Sequence, residues 1–364
     1  MVKIKIPDTY INEPGVIRKA GAYLKSLGKQ RILLIAGPRT LAVVEEQFAA
    51  SLQAAQLNYK KEVFVGFPTK SLAEKYAAVA KAYQADVLVA AGGGRAMDVT
   101  KAAADVAGLP VFTIPTVIGT CAAWAACSVL YSEQGDFREV RYNRQAPVFV
   151  LADTDIIAHS PVRYAKSGIA DTYAKWYELH PVIARNPQNL TLAITEYGAE
   201  KARDILASEG SAAITALEQG EVNQPLRDVI DAVIYLAGYA GSLTGGENRV
   251  AFPHQFYNSL RGVNAAQSRY HGELVAYGML VQMVLNGESQ ESIRLLAQRL
   301  EAVDNLFSLV EIGLADKGSR DFVAQRIVQE YEPCTIPPEK HNVTDILTAI
   351  TAAETYVKER RTDG

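Results

Sequence analysis

The spacing of apolar positions divides the chain into two textures. Up to about residue 160, short apolar runs alternate with amphipathic stretches. RILLIA at 31–36, KEVFVG at 61–66, DVLVAA at 86–91, VFTI at 111–114, SVLYS at 128–132 and VFVLAD at 148–153 read as strands. TLAVVEEQFAASLQAAQ, a segment near 71–84 and GGGRAMDVTKAAADVAG read as helices, the last beginning just after its glycines. Apolar, β-branched runs separated by helices predict parallel strands covered on both faces, a doubly wound α/β arrangement.

Beyond that point strand-like runs are scarce. Helical periodicity continues through ADTYAKWYE, LAITEYGAEKARDILA, LRDVIDAVIYLAGYAGSL, GELVAYGMLVQMVL, SIRLLAQRLEAV and ILTAITAAETYVKER. Asn186-Pro187, Pro253 and the stretch from Pro333 to Pro338 punctuate it. The pattern predicts an all-helical second domain, with the division at Ser160-Pro161 giving 1–160 and 161–364. The 364 residues agree with two domains at ~150 residues each.

Charge narrows the partners. Lysine plus arginine total 37 against 40 acids, a formal charge of −3, so there is no electrostatic case for nucleic acid or an anionic membrane. No apolar stretch reaches the length of a membrane span, and the first residues lack the apolar core of a signal peptide. Cys121, Cys127 and Cys334 form no CxxC pair and no closed disulfide framework, which points to the reducing cytoplasm. A small-molecule enzyme is the expected class.

Gly92-Gly93-Gly94 ends a strand and opens a helix. Glycines there let backbone approach a phosphate, and the helix start offers free N–H groups and a positive dipole end. Asp98 and Lys101 fall on one face of that helix, three residues apart. The pattern is not GxGxxG, and by itself it fits a tight strand-to-helix turn equally well.

GGGRAMDVTKAAAD, followed by TIPTVIGTCAAWAACSVLYSEQGDF, GIADTYAKWYE, FPHQFYN and YHGELVAYG in order, resembles the iron-containing alcohol dehydrogenase family in its glycerol-dehydrogenase-like branch. The resemblance spans nearly the whole chain. It implies a nucleotide-binding α/β domain followed by a helical metal-binding domain, dehydrogenase activity with NAD(P), and a homo-oligomer, dimer or octamer. It also implies one divalent metal, zinc or iron, held by Asp171, His254 and His271. Three N/O ligands leave a coordination position open for a substrate oxygen. Their spacings, 83 and 17 residues, would not announce such a site. By position, Gly93, Gly94, Arg95 and Asp98 are expected at the pyrophosphate, and Thr116, Gly119 and Tyr131 nearer the nicotinamide. No third histidine falls in the motifs, leaving proton delivery to water or the cofactor ribose.

The chain departs from the family pattern in three places. Glycerol dehydrogenases carry an acid where this chain has Cys121, and a thiol cannot accept hydrogen bonds from a diol as a carboxylate does. Lys175 lies one helical turn beyond Asp171, where it either pairs with that carboxylate or binds a substrate carboxylate. Loss of the acid and gain of the base together favour a 2-oxo or 2-hydroxy acid, and the TCAAW loop resembles the hydroxycarboxylate dehydrogenases of the family. The adenosine ribose position reads Ala36-Gly37-Pro38-Arg39. Gly37 removes the acid usual with NAD, and Arg39 either pairs with a 2′-phosphate or is a solvated turn residue. NADP(H) is therefore expected ahead of NAD(H). Trp124 either walls a compact substrate pocket or fills core. Glycerol dehydrogenase with NAD remains the alternative; a lyase of the dehydroquinate synthase type and an inactive nucleotide-binding protein rank below it.

Overall fold

The computed structural model describes residues 4–185, 188–242, 252–260, 263, 266, 268–330 and 341–362. Cys334, Asn186-Pro187 and the stretch from Pro333 to Pro338 lie outside the described residues. Six parallel strands form one sheet: β1 (Thr9–Glu13), β2 (Arg31–Ala36), β3 (Asn58–Val63), β4 (Val87–Gly92), β5 (Val111–Pro115) and β8 (Phe149–Asp153), in the order β1-β8-β5-β4-β2-β3. The remaining two, β6 (Cys127–Tyr131) and β7 (Phe137–Tyr142), pair antiparallel as a separate ribbon.

Alternate side chains along the central strands enter different cores. Ile32, Leu34, Val87 and Val89 pack with α1 (Ala20–Ser26) and α2 (Pro38–Ala54). Leu33, Ile35 and Leu88 pack with α3 (Lys70–Tyr83) and α4 (Gly94–Ala107). Both faces are thus covered, as the unbroken apolar runs predict. The chain leaves β2 towards β3 and then returns to place β4 on the other side of β2. That reversal opens a crevice beyond the carboxyl ends of β2 and β4, the usual ligand position in such sheets.

From Thr154 onward every regular element among the described residues is helical. These elements are α5 (Thr154–Ala158), α6 (Val162–Arg185), α7 (Leu190–Gln219), α8 (Gln224–Asp231), α9 (Ala237–Ser242), α10 (Phe252–Ser259), α11 (His271–Leu285), α12 (Gln290–Glu301), α13 (Lys317–Glu330) and α14 (Val343–Thr362). A π-helical turn, Ala232–Leu236, joins α8 to α9. The helical core does not stop at the sheet: it includes Ala90, Val150 and Ala152 from the strands and Ile118, Ala123 and Trp124 from the loop after β5. No helix among the described residues is long and apolar enough to cross a membrane.

Three strand expectations are corrected. The strand expected at 61–66 runs from Asn58 to Val63, because its register is set by pairing with β2 rather than by its apolar residues. It is a sheet edge, and Val63 and Val65 remain exposed. The SVLYS run is not a further parallel strand; it turns back on the mostly polar Phe137–Tyr142, which lacks an apolar face and escaped notice. Strand β1 is absent from the apolar pattern as well. Its residues are half-buried, and they pair with β8 from far along the chain.

Asp153 ties these layers together. Fully buried at the end of β8, it accepts from the N–H groups of Gly15 (3.0 Å), Ile17 (2.8 Å) and Asp155 (3.0 Å). Asp153→Ala strands those donors in a dry site, so denaturation should show a loss of about 3 kcal/mol. Asp153→Asn, which keeps an accepting oxygen, should lose less.

Candidate functional site

The crevice is built from two strand-to-helix turns. Gly37 follows β2 and precedes α2, and Gly93 follows β4 and precedes α4; neither helix start receives a side-chain cap. Gly92 has φ 136°, a conformation other residues resist, and a Cβ there would lie 3.2 Å from both Thr40 Oγ1 and Ala96 Cβ. With no side-chain cap, the α4 terminus leaves its backbone donors to an external anion. Arg95 lies with its guanidinium 4.1 Å from the Phe67 ring, which in turn lies 5.9 Å from the Tyr131 ring. Arg39 is exposed on the first turn of α2. Thr116 is buried, and its N–H donates to Gly92 O (3.1 Å); Gly119 lies against Tyr164. Asp98 is turned to the protein instead: it pairs with Lys101 at 3.2 Å and accepts from the Val129 N–H. Burial pushes its carboxyl up to about 6, with Lys101 opposing that rise.

Helix α6 presents Asp171, Lys175 and Glu178 along one face, at spacings of one and two turns. From α11, His271 Nε2 reaches Asp171 Oδ1 at 3.2 Å; from α10, His254 Nε2 reaches the same oxygen at 3.4 Å. His254 Nδ1 lies 2.5 Å from Glu178 Oε1. A proton on Nδ1, donated to Glu178, leaves the Nε2 lone pair facing Asp171. Three ligand atoms then converge, all within 4.8 Å of one another, and their types suit a zinc or iron ion. Two ligand atoms ~2.1 Å from a tetrahedral zinc would stand ~3.4 Å apart, close to the 3.2 and 3.4 Å that separate Asp171 Oδ1 from the two imidazoles.

Electrostatics couple the same groups to one another. Burial alone would raise Asp171, but Lys175 and the two imidazoles hold it well below the usual carboxylate range. Burial opposes charge on His254, yet Glu178 and Asp171 lift it to about 9; His271, with burial dominant, is lowered. Lys175 is disfavoured by burial but raised above an ordinary lysine by Asp171, Cys121 and Glu178. Among the described residues no carboxylate lies within ion-pair distance of its ammonium. Burial pushes the Cys121 thiol up to about 11, despite Lys175, so it stands as a neutral thiol. Cys127 is likewise raised by burial.

The structure brings together Asp171, His254, His271, Lys175 and Cys121, and gathers the glycine turns at the crevice. Trp124 is 4% exposed, edge-on to Tyr10, tilted against Tyr235 and pressed on Gly238 where the loop meets the helices. His159, His180 and His341 stand outside the cluster. Sequence reasoning missed Glu178. The only signal available was its place two turns beyond Asp171, and nothing in the sequence says that His254 meets it.

Backbone contact fixes His271 beside Asp171. The Gly272 N–H donates to Ser167 Oγ (2.9 Å), and a Cβ on Gly272 would lie 1.8 Å from Ser167 O. Arg163 holds the buried Glu273 through both carboxylate oxygens (2.6 and 2.8 Å), and Glu273 accepts from the Tyr270 N–H at the start of α11. Gly272→Ala must push α11 off α6. Its unfolding midpoint should fall, and zinc affinity measured by calorimetry should weaken at least tenfold.

Residues 7–154 match the family described as iron-containing alcohol dehydrogenase. The chain is 32% identical over 346 residues to a glycolaldehyde reductase of Halobacterium salinarum, covering 93% of each chain. It is 30% identical to a glycerol dehydrogenase of Escherichia coli (97% of this chain, 96% of the relative) and 30% identical to hydroxycarboxylate dehydrogenase A of that species (92% and 93%). The crystal structure of glycerol dehydrogenase from Schizosaccharomyces pombe superposes with a TM-score of 0.91 at 24% identity, covering 100% of this chain and 93% of that one. With the doubly wound sheet, the helical half and relatives at this identity over nearly their full length, the chain belongs to the iron-containing alcohol dehydrogenase family.

Proposed function

We propose that this protein is a metal-dependent oxidoreductase that moves a hydride between NAD(P)H and a small 2-oxo or 2-hydroxy acid. The observation carrying the substrate class is Lys175, a half-buried ammonium one turn from Asp171 with no ion pair among the described residues. Asp171, His254 and His271 would hold a zinc or iron ion, and Glu178 would fix the tautomer of His254. When bound, the ion supplies Lewis-acid polarisation of the substrate oxygen and the nicotinamide supplies or takes the hydride.

The residues of the chain then divide the work. Lys175 pairs with the substrate carboxylate and so orients the adjacent carbonyl. Cys121, neutral and without an acid's charge, leaves that anion unrepelled. Gly93, Gly94 and Arg95 receive the pyrophosphate at the α4 terminus, with Thr116, Gly119 and Tyr131 towards the nicotinamide. Asp98 acts there only through the structure it braces, and Trp124 as the packed back of the substrate loop. Gly37 and the exposed Arg39 support NADP(H) over NAD(H). Residues 1–160 form the nucleotide side and 161–364 the metal side. Free thiols at Cys121 and Cys127 favour a reducing, cytoplasmic setting. A homo-oligomer is part of the same reading.

A glycerol dehydrogenase using NAD is the second reading, favoured by the Escherichia coli relative of that name. Zinc-loaded protein offered 2-oxobutyrate and dihydroxyacetone, each with NADPH and NADH, decides between them. The expected result is turnover of the keto acid, faster with NADPH, and its loss after chelation. Turnover of dihydroxyacetone with NADH alone establishes the second reading. Lys175→Ala should raise KM for 2-oxobutyrate about 30-fold, corresponding to ~2 kcal/mol for one charge-assisted contact. Unchanged KM would remove the lysine from the proposal.

A further inference from the structure

Among the described residues Lys101 is the least exposed cation in the nucleotide half, with 1% of its side chain reached by solvent. Its ammonium donates to Ala122 O (2.7 Å), Ala125 O (3.0 Å) and Cys127 O, with Asp98 as counter-charge at 3.2 Å. Three N–H donors meet three carbonyls, so none is left for a phosphate. A buried ion is costly, and a leucine would fill the same space more cheaply. The carbonyls explain the lysine. Ala122 and Ala125 belong to an irregular segment with one short turn, Cys121–Ala123, whose oxygens lie outside any sheet ladder, and Cys127 is the residue at which that segment enters β6. Thr113 Oγ1 satisfies one more, donating to Ala123 O (2.8 Å).

The other side of this curl faces the site. Cys121 lies within electrostatic reach of Lys175 and Asp171, and Trp124 packs on Tyr10, Tyr235 and Gly238. The glycine turn opens the same helix that carries Lys101, two turns upstream. We propose that Lys101 is a positioning residue that joins the glycine-turn helix and the Thr120–Cys127 loop into one body, setting where Cys121 stands against Lys175. Its consequence for substrate rests on the function proposed above; its consequence for the loop does not.

Of the two tryptophans, Trp124 sits in the loop and Trp176 lies on α6, against Arg203 and His180. In a Trp176→Phe background, Trp124 emission therefore reports the loop without substrate or cofactor. Lys101→Met should shift that emission to longer wavelength and open it to acrylamide. Substrate KM should rise at least tenfold, for whichever of 2-oxobutyrate or dihydroxyacetone the parent turns over. Nucleotide Kd should stay within threefold, because the glycine turn is untouched. If Lys101→Met does not fold, Asp98→Asn is read instead, with smaller shifts in the same directions. Unchanged Trp124 emission in the folded variant overturns the proposal. Nucleotide affinity falling as far as substrate affinity also overturns it, since Lys101 would then serve the cofactor turn. A shifted emission with neither substrate turned over by the parent would leave Lys101 in place and defeat the functional reading alone.

Discussion

Helix α6 touches two other segments backbone to backbone, and the site exists because it does. A Cβ on Gly168 would lie 1.9 Å from Ile118 O, and one on Gly272 would lie 1.8 Å from Ser167 O. At those two contacts only hydrogen fits. The first brings α6 against the loop that carries Cys121; the second brings His271 against Asp171. Neither contact offers hydrophobic gain at the glycine itself, so what holds the three segments together is packing farther along them. Ile169, Tyr173 and Ala174 lie in the helical core with Leu274, Val275 and Ile118.

That packing places alternating charge in a dry place. Asp171, Lys175 and Glu178 would each be expensive to bury alone. On one helix face the order acid, base, acid lets each charge stabilise its neighbour, and the imidazoles complete the set. Lys175 is the member left without a close partner among the described residues, which is why it reads as a receiver of an external anion. Asp98 and Lys101 show the same economy turned to a structural end: the pair closes on itself, and the lysine's remaining donors go to backbone.

The sequence carried the central strands well because β2, β4, β5 and β8 are buried on both faces and therefore uniformly apolar. It failed at β1, β3 and β7, which are edges or half-exposed. There the strand is defined by its neighbour's hydrogen bonds, and side-chain pattern is a weak guide. The sequence pattern places an interruption at Pro253, yet this proline occupies the first turn of α10, where its missing N–H costs nothing. Trp124 illustrates a different limit. Its identity allows a pocket wall or a core filler, and its burial against Tyr235 and Gly238 depends on the π-helical turn beside it, which no local pattern foretold.

Sequence alone determined the layered α/β half, the helical half, the glycine turn and, through a linked set of motifs, the family. These are matters of period, of glycine's freedom and of residue type, all written locally. Only the tertiary structure decided that two histidines distant in the chain share one oxygen of Asp171, that Glu178 orients one of them, and that Lys101 holds a loop rather than a phosphate. Those outcomes turn on how closely three segments approach, a distance set by packing across the whole core and encoded at no single position.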